Sequence, residues 1–290
     1  MYNVSFPGLG IYDIPINPVA FTIGNMPIYW YGIIIASGLI LAFIYAWFSA
    51  ERFDVDKNKL VNCVLVGIIT GIIGARLYYV LFRFDYYGAN PGEIFSIHQG
   101  GLAIYGGIIG AFAGGCIVAK VQKMKILPVL DIAVLGFLIG QGIGRWGNFM
   151  NQEAFGTPTS LPWRMISERT MGETVHPCFL YESLWCLIGF VIIHFISKKY
   201  QKYAGQVLYM YLVWYGFERM IVEGLRTDSL YLPFQIFGSD IRVSQLLSLL
   251  LVIFGIVMLI INRKKEEPFY ADYRRKKSIG GSESTSSQGN

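Results

Sequence analysis

Long apolar stretches separated by short polar segments set the pattern of this sequence. Each stretch has 18 to 23 residues, enough for a helix to cross a hydrocarbon layer of roughly 30 Å. Backbone groups in lipid must be paired within the segment, and the alternation typical of membrane strands is missing, so these stretches are expected to be helices. The pattern therefore predicts an all-α membrane protein, a polytopic bundle of seven transmembrane helices. The stretches are 28–50, 60–82, 102–119, 126–144, 178–197, 207–225 and 243–261.

The composition agrees with a protein that has the bilayer as its solvent. Hydrophobic residues make up 54% of the 290 positions and charged residues 15%, and the mean hydropathy is +0.47. These values are too apolar for a soluble domain of this length. The four cysteines lie in or beside apolar stretches, which argues against a disulfide framework, and their spacing fits no metal site. We therefore expect no cofactor and no metal.

The sequence contains no motif that predicts nucleotide binding or hydrolase activity. Gly142, Gly144 and Gly147 have the spacing G-x-G-x-x-G, but the dinucleotide fingerprint requires a preceding strand and a βαβ unit, whereas these glycines lie at the end of an apolar stretch. The sequence contains no P-loop, no H-E-x-x-H and no G-x-S-x-G. ATP-driven, zinc-dependent and serine-hydrolase chemistry are therefore not predicted.

Basic residues are distributed unevenly over the segments between the apolar stretches. Sixteen of the 24, including every lysine, fall in alternate segments and in the C-terminal tail. Because cytoplasmic loops carry an excess of lysine and arginine, we expect the N-terminus outside and the C-terminus in the cytoplasm. This topology also explains the net charge of +5, so we predict no nucleic-acid partner.

The domain organisation follows from the same pattern. Residues 1–262 are predicted to form one seven-helix domain, with loops 83–101, 148–177 and 226–242 on its outer face. Residues 263–290 are predicted to be a mobile basic cytoplasmic tail, since their charged and Ser/Gly-rich composition does not support a core. The loop 148–177 is long for a helix connection, so it either folds over the outer face to meet a substrate or is simply mobile.

Five ionisable residues interrupt the apolar stretches, and each costs at least about 2.5 kcal/mol on insertion scales. In the sixth stretch, the spacing of Tyr215, Arg219, Glu223 and Arg226 places these four side chains on one helical face, which we expect to point into the bundle. The alternative is that Arg219 and Glu223 form a purely structural ion pair. The five residues are Arg76, Asp131, Glu182, Arg219 and Glu223.

The outer end of the fourth stretch gathers polar side chains, namely Arg145, Asn148, Asn151 and Glu153. A guanidinium fork binds phosphate oxygens through two parallel hydrogen bonds, and arginines at Arg76, Arg145 and Arg219 near one level are suited to hold a phosphodiester headgroup. The plainer interpretation is an arginine that snorkels to the interface, followed by an ordinary loop. Glycines recur along several stretches and indicate close helix packing.

The stretch from Gly144 to Gly156, written G-R-x-G-N-F-x-N-x-E-x-x-G, resembles the signature of the prolipoprotein diacylglyceryl transferase family. Further pieces of the resemblance run in the same order and extend over roughly residues 17–262. They are N-P-V-A-F at 17–21, W-Y-G at 30–32, G-A-R-L at 74–77, G-G-L-A-I-Y-G-G at 100–107, H-P at 176–177, L-Y-E at 180–182, Y-G at 215–216, and Arg219, Glu223 and Arg226.

The resemblance implies transfer of a diacylglyceryl group from phosphatidylglycerol to the lipobox cysteine thiol of a prolipoprotein signal peptide, with release of glycerol phosphate. It also implies a multi-pass protein of a bacterial plasma membrane, with its active site toward the outer leaflet. Arg145 would bind the lipid headgroup, and Arg219 would bind the leaving phosphate or order Glu223. Further predicted substrate-binding residues are Tyr31, Arg76, Asn148, Asn151, Glu153, Tyr215 and Arg226.

The group that takes the thiol proton is left open. Some members of the family have a histidine where this chain has Tyr105, and a neutral tyrosine is a weak base unless nearby arginines lower its pKa. Tyr105 is therefore predicted to be catalytic, either as a base or through hydrogen bonding alone. His98 and His176 are alternative bases, and His194 lies toward the inner end.

Two other functions fit part of the pattern. Intramembrane arginines and glycine-rich helices also line anion transporters and channels, although no internal repeat is visible and the polar residues gather on one face. A seven-helix receptor or scaffold would use the arginines only to satisfy the bundle. Turnover of lipid distinguishes the transferase from both.

Overall fold

The computed structural model describes residues 1–96, 100–227, 231 and 241–274. Within them, eight α-helices carry most of the chain, connected by short 3-10 turns and by five short strands, and residues 268–274 are also helical. The helices are α1 (Trp30–Ser49), α2 (Lys57–Phe82), α3 (Phe84–Ala89), α4 (Ile104–Val121), α5 (Ile126–Asn151), α6 (Cys178–Tyr200), α7 (Gln206–Leu225) and α8 (Val243–Ile261).

Every predicted apolar stretch forms a helix, and six of these helices are long and apolar enough to cross a membrane. They are α1, α2, α4, α5, α6 and α8. The helix α7 corresponds to the stretch 207–225 but is not among the six, because it contains three charged residues, Glu218, Arg219 and Glu223. The chain is therefore a mostly helical, polytopic membrane protein.

The fourth helix is longer than its apolar stretch. The sequence places the end at residue 144, whereas α5 continues to Asn151. Polar residues without proline do not break a helix that is already nucleated, and the turn comes only at Gln152, which has a positive φ of 52°. Arg145 and Asn148 are thus helical residues rather than loop residues, and helix geometry fixes their mutual spacing.

The expectation of an all-α protein is wrong for the N-terminal segment. Strands β1 (Tyr2–Phe6) and β2 (Ile11–Ile16) pair with β5 (Ile166–Ser167) in a three-stranded antiparallel sheet of order β2-β1-β5. Strands β3 (Val19–Ile23) and β4 (Met26–Tyr29) form a separate hairpin with a bulge between Val19 and Phe21. Periodicity missed these strands because they are short, and most residues of β2, β3 and β4 are exposed.

The predicted outer loop is folded onto the sheet. Met165 pairs with Val175 by two backbone hydrogen bonds of 3.0 and 2.8 Å, and both are buried with Val4, Ile16 and Phe179 in a small apolar core. The loop 148–177 is therefore part of a compact layer built with the N-terminal strands.

The chain divides into two compact units, residues 1–46 with 133–290, and residues 47–132. In the second unit, α2 packs along α4. Glycines allow this approach: a side chain at Gly74 would meet the backbone of Gly110 at 3.0 Å, and one at Gly71 would meet the Ala111 methyl at 3.3 Å. In the first unit, the α5 glycines face α1, where Gly38 lies against Gly140. The predicted close packing at these glycines is confirmed.

The tail is predicted to be mobile, but its first part makes specific contacts with the rest of the protein. The Glu267 amide donates to the Lys202 carbonyl at 2.9 Å, and Tyr270 is buried. Residues 275–290 lie outside the described residues, and the tail's cytoplasmic location stays a prediction.

The α2–α4 contact gives a stability prediction. A methyl group at Gly110 would overlap the Thr70 carbonyl and come within 3.2 Å of the Gly74 Cα atom, whereas one at Gly115 would lie 3.6 Å from the Cys63 carbonyl oxygen. Because overpacking costs about 1–3 kcal/mol, we expect Gly110→Ala to lower the thermal midpoint in detergent. Gly115→Ala should be neutral or slightly stabilising, since alanine favours helix. Equal effects of the two substitutions would contradict this packing.

Candidate active site

The residues that the sequence singled out in the first unit gather around one buried carboxylate, Glu182. This side chain is only 1% exposed and extends from the second turn of α6. Arg145 forms an ion pair with its Oε2 atom, Arg219 Nη1 lies 3.4 Å from the same oxygen, and Arg226 Nη1 lies 3.8 Å from Oε1. Arg145 on α5, Arg219 on α7 and Arg226 just after α7 therefore direct their guanidinium groups at one carboxylate on α6.

Arg219 is shared between two carboxylates. Its Nη2 atom lies 2.5 Å from Glu223 Oε2, one turn further along α7, so Arg219 and Glu223 share a helical face as predicted, whereas Arg226 lies just beyond the end of the helix. A charge in such surroundings is tolerable only when it is paired, because desolvation otherwise outweighs the gain. The pairing does not close the cluster completely. The exposed fractions of the side chains of Arg145, Arg219 and Arg226 are 22%, 15% and 13%.

A second polar chain starts from Arg145 at the end of α5. Its Nη1 atom donates to Asn148 Oδ1 at 3.5 Å, and Asn148 Nδ2 donates to Glu153 Oε1 at 2.9 Å. Asn151 Nδ2 reaches the same carboxylate oxygen at 3.4 Å. The turn at Gln152 brings Glu153 back to the helix end, where its amide donates to the Asn148 carbonyl. Arg145 therefore connects the Glu182 cluster to the Asn148–Glu153 cluster.

Two predicted tyrosines lie beside these clusters. Tyr31 packs against Gly147, where any Cβ would come 2.9 Å from the ring, and it interacts electrostatically with Glu153 and Arg145. Tyr215 stacks on Tyr211 with ring centroids 5.6 Å apart. The close contact at Gly147 explains why a small residue stands between Arg145 and Asn148.

Three charged residues at the clusters were not assigned a role from sequence. Glu182 was recognised only as an ionisable residue within an apolar stretch, and its position at the centre of the arginines depends on tertiary structure. Glu218 is 3% exposed, its Oε1 atom has no hydrogen-bond donor among the described residues, and it interacts electrostatically with Arg145, Arg219 and Arg226. Arg242, at the start of α8, donates to the Glu223 carbonyl.

The outer loop is joined to the end of α7. Gly156 forms a β-bridge with Arg226, the Thr157 amide donates to the Leu225 carbonyl at 2.7 Å, and the Gly156 amide donates to the His176 carbonyl at 2.9 Å. A Cβ at Gly156 would come 2.7 Å from that of His176. The last glycine of the signature is thus required for three backbone segments to meet beside Arg226.

The remaining two predicted site residues, Arg76 and Tyr105, belong to the second unit. Arg76 donates to four backbone carbonyls, those of Ile94, Gly100, Gly101 and Glu93, at 2.7, 3.1, 2.9 and 2.6 Å. Its guanidinium therefore holds the chain between α3 and α4, and its predicted contact with substrate stays a prediction. Tyr105 is half-buried in the first turn of α4, with its ring 6.5 Å from that of Tyr78.

A polar cavity of about 220 Å³ adjoins Arg76. Within it, Tyr86 donates to Glu93 Oε2 at 2.8 Å, and this hydrogen bond raises the pKa of Tyr86. The lining residues are Arg76, Tyr79, Arg83, Tyr86, Tyr87, Glu93, Ser96, Gly100 and Gly101.

The candidate base His176 lies in a hydrogen-bonded chain with Tyr181 and Trp163. The indole Nε1 of Trp163 donates to the Tyr181 hydroxyl at 2.7 Å, and that hydroxyl lies 3.2 Å from His176 Nδ1. Because an indole is only a donor, the Tyr181 proton is available for a neutral His176 whose own proton is on Nε2. Burial lowers the pKa of His176. His98, the other candidate, lies outside the described residues.

The lowered pKa of His176 gives a pH prediction. The unfolded histidine has a pKa near 6.5, so below that value the unfolded state takes up the proton more readily than the folded state does. Stability should be complete above about pH 6.5 and should fall as the pH drops toward the folded value. His176→Asn keeps an acceptor for Tyr181 but does not titrate. We expect the melting temperature of the unsubstituted protein to fall more than that of His176→Asn between neutral and mildly acidic pH, and parallel curves would contradict this account.

Comparison with known proteins gives the family of this chain. The family model described as prolipoprotein diacylglyceryl transferase matches residues 18–261. Three curated relatives carry the name phosphatidylglycerol–prolipoprotein diacylglyceryl transferase. The protein of Finegoldia magna is 44% identical over 85% of this chain and 96% of its own length, that of Lysinibacillus sphaericus 42% identical over 88% and 95%, and that of Staphylococcus carnosus 43% identical over 87% and 93%.

The match to the family model includes the helices that carry Arg145, Glu182 and Arg219. The alignments with the relatives cover most of this chain and most of each relative. This chain belongs to the prolipoprotein diacylglyceryl transferase family.

Proposed function

We propose that this protein transfers the diacylglyceryl group of phosphatidylglycerol to the lipobox cysteine thiol of prolipoproteins. The product is a thioether, and glycerol phosphate is released, which makes this the first step of bacterial lipoprotein maturation. Family membership and the names of the relatives support the reaction and both substrates. The observation that carries the proposal for this chain is the convergence of Arg145, Arg219 and Arg226 on Glu182, next to the Arg145–Asn148 contact.

The chemistry requires positive charge where the phosphate departs. The sulfur of the cysteine attacks the sp³ carbon of the diacylglyceryl group, and the carbon–oxygen bond breaks with its electron pair going to a phosphate oxygen. The thiol proton must leave, and the phosphate changes from a monoanion to a dianion. Preorganised donors in a site of low dielectric constant stabilise such developing charge more than water does.

Arg145 is the arginine that we assign to the phosphate. It has the largest exposed fraction of the three, and contacts with Glu182 and Asn148 fix its guanidinium plane before a ligand arrives. Arg219 and Arg226 add charge from α7, and Glu223 holds Arg219 by an ion pair. Tyr31 and Tyr215 would contact the polar part of the headgroup. Arg76 would act in the second unit, where it holds the segment that precedes Tyr105.

The thiol proton has no single assigned acceptor. Tyr105 would take part through its hydroxyl at the N-terminus of α4, either as a base or as a hydrogen-bond donor. A positive field from the arginines would itself favour the thiolate, since a free cysteine has a pKa near 8.5. Arg145 and its neighbours would then both activate the nucleophile and stabilise the leaving group.

We further infer the placement of the chain in the bilayer. Helix α7 would be a seventh span, tolerated in the membrane because Arg219 pairs with Glu182 and Glu223. The excess of lysine on one side supports an outside N-terminus and a cytoplasmic C-terminus. The protein would lie in the bacterial plasma membrane with the active site toward the outer leaflet, and residues 1–262 would form one transferase domain followed by the tail 263–290.

The substitution Arg145→Lys tests the role of the planar guanidinium group of Arg145. The substitution keeps the positive charge but loses the planar pair of donors, so we expect it to lower turnover by on the order of 10²-fold, comparable to the loss of one oxyanion donor. Mass spectrometry of a lipobox peptide incubated with phosphatidylglycerol would measure the diacylglyceryl thioether. A Cys→Ser peptide is the substrate control.

The matched protein control is Arg164→Lys. Arg164 lies in the outer loop, where its guanidinium donates to the carbonyls of Ser160 and Leu161, and its substitution should leave turnover close to that of the unsubstituted protein. Unchanged activity of Arg145→Lys would contradict the assignment of Arg145. Absence of a thioether with the unsubstituted protein would contradict the proposed reaction.

Glu182→Gln tests the centre of the cluster. Removing one partner of a buried ion pair costs about 3–5 kcal/mol, and here three guanidinium groups lose their shared carboxylate. We expect a marked fall in the free energy of unfolding together with loss of transfer. Glu173→Gln, at an exposed position of the outer loop, is the control. A Glu182→Gln protein as stable as this control would show that the arginines do not depend on Glu182.

A further inference from the structure

The hairpin β3–β4 exposes an unusually apolar surface just before the first membrane helix. Strand pairing places Phe21 opposite Ile28 and Ile23 opposite Met26, with Thr22 and Pro27 on the other side. We call the four side chains of Phe21, Ile23, Met26 and Ile28 the apolar hairpin face. The exposed fractions of Phe21, Ile23 and Met26 are 52%, 66% and 67%.

Water is a poor environment for such an element. The hairpin forms a sheet of only two strands in the described residues, and an isolated two-stranded hairpin is marginally stable at best in water. Its four apolar side chains form one continuous patch without a charge, and residues 14–50 contain no charged residue at all. Such a patch marks a surface that another apolar phase covers.

The position of the hairpin in the chain identifies that phase. Tyr29 ends β4 and Trp30 begins α1, and the Trp30 amide donates to the Pro18 carbonyl at 2.9 Å, which fastens the base of the hairpin to the helix start. Helix α1 is one of the candidate spans, and it exposes Ile35 in its first half and Ile40 near its middle. The apolar hairpin face is therefore continuous along the chain with a surface that contacts lipid.

Backbone chemistry limits how deep the hairpin lies. In the described residues the outer edges of β3 and β4 are not paired with another strand, and unpaired backbone groups are too costly in the hydrocarbon core. An element with one apolar face and open edges is instead stable at the level of the headgroups, with that face toward the acyl chains.

We propose that the apolar hairpin face docks on the phospholipid leaflet that α1 enters at Trp30. The hairpin lies flat at the headgroup level, with Phe21, Ile23, Met26 and Ile28 toward the acyl chains and Thr22 toward water. This interaction is independent of the proposed transfer reaction.

Site-specific photocrosslinking tests whether phospholipid contacts the apolar hairpin face. The full chain would carry benzoylphenylalanine in place of Ile23, or in place of its neighbour Thr22 on the opposite face as the matched control. Ile40 on α1 is the positive control for lipid contact. Each protein is reconstituted into vesicles of phosphatidylglycerol and phosphatidylethanolamine, irradiated with and without a lipobox peptide, and weighed by intact-protein mass spectrometry.

We expect a phospholipid adduct at Ile23 and at Ile40, with several-fold lower yield at Thr22. A dominant adduct to the peptide would identify the face as a docking site for the protein substrate, and one to a second copy of the chain would identify a dimer interface. Either result overturns the proposal, and so does equal lipid labelling at Ile23 and Thr22. Should the Ile23 protein fail to fold, the same substitution at Met26, its cross-strand partner, gives the same test.

Discussion

A buried positive charge must find a partner, and this requirement shapes the centre of the molecule. Arg145, Arg219 and Arg226 lie in largely apolar surroundings, where burying an unpaired guanidinium would be energetically unfavourable. Their ion pairs with Glu182 offset this cost. The carboxylate does so without enclosing them completely, since all three retain some exposed surface. In the proposed function, the same carboxylate that allows the arginines to be buried would also hold their guanidinium groups in position for an anionic headgroup.

Periodicity and charge predicted the helical part of the fold well, because apolar length is a direct physical requirement of a bilayer. The seven stretches recur as helices, and the glycines at Gly71, Gly74 and Gly140 lie where helices touch. The strands at 2–29 and 166–167 could not be predicted in the same way. Strand β5 is held to β1 by a few apolar contacts around Val4 and by pairing between segments more than a hundred residues apart, and a local pattern carries no signal for such pairing.

The site shows the same division. Residues close in sequence could be grouped, as Arg219 with Glu223 by helical spacing and Arg145 with Asn148 by the local density of polar residues. Glu182 and Glu218 could not be assigned, because their importance comes from which helices pack together. Arg76 illustrates the converse. Its residue type suggested a phosphate ligand, and the structure shows its guanidinium donating to the backbone carbonyls of Glu93, Ile94, Gly100 and Gly101, contacts that a local pattern does not reveal.

The bridge between Gly156 and Arg226 has a mechanical consequence. A loop that moves independently is connected to the rest of the protein by few hydrogen bonds. Here a backbone hydrogen bond from Thr157 joins the outer loop to Leu225 at the end of α7. Any displacement of that loop by an arriving polypeptide therefore pulls on the main chain that carries the Arg226 guanidinium. In the proposed reaction, the position of the Arg226 side chain would therefore depend on whether the acceptor peptide is bound at the outer loop.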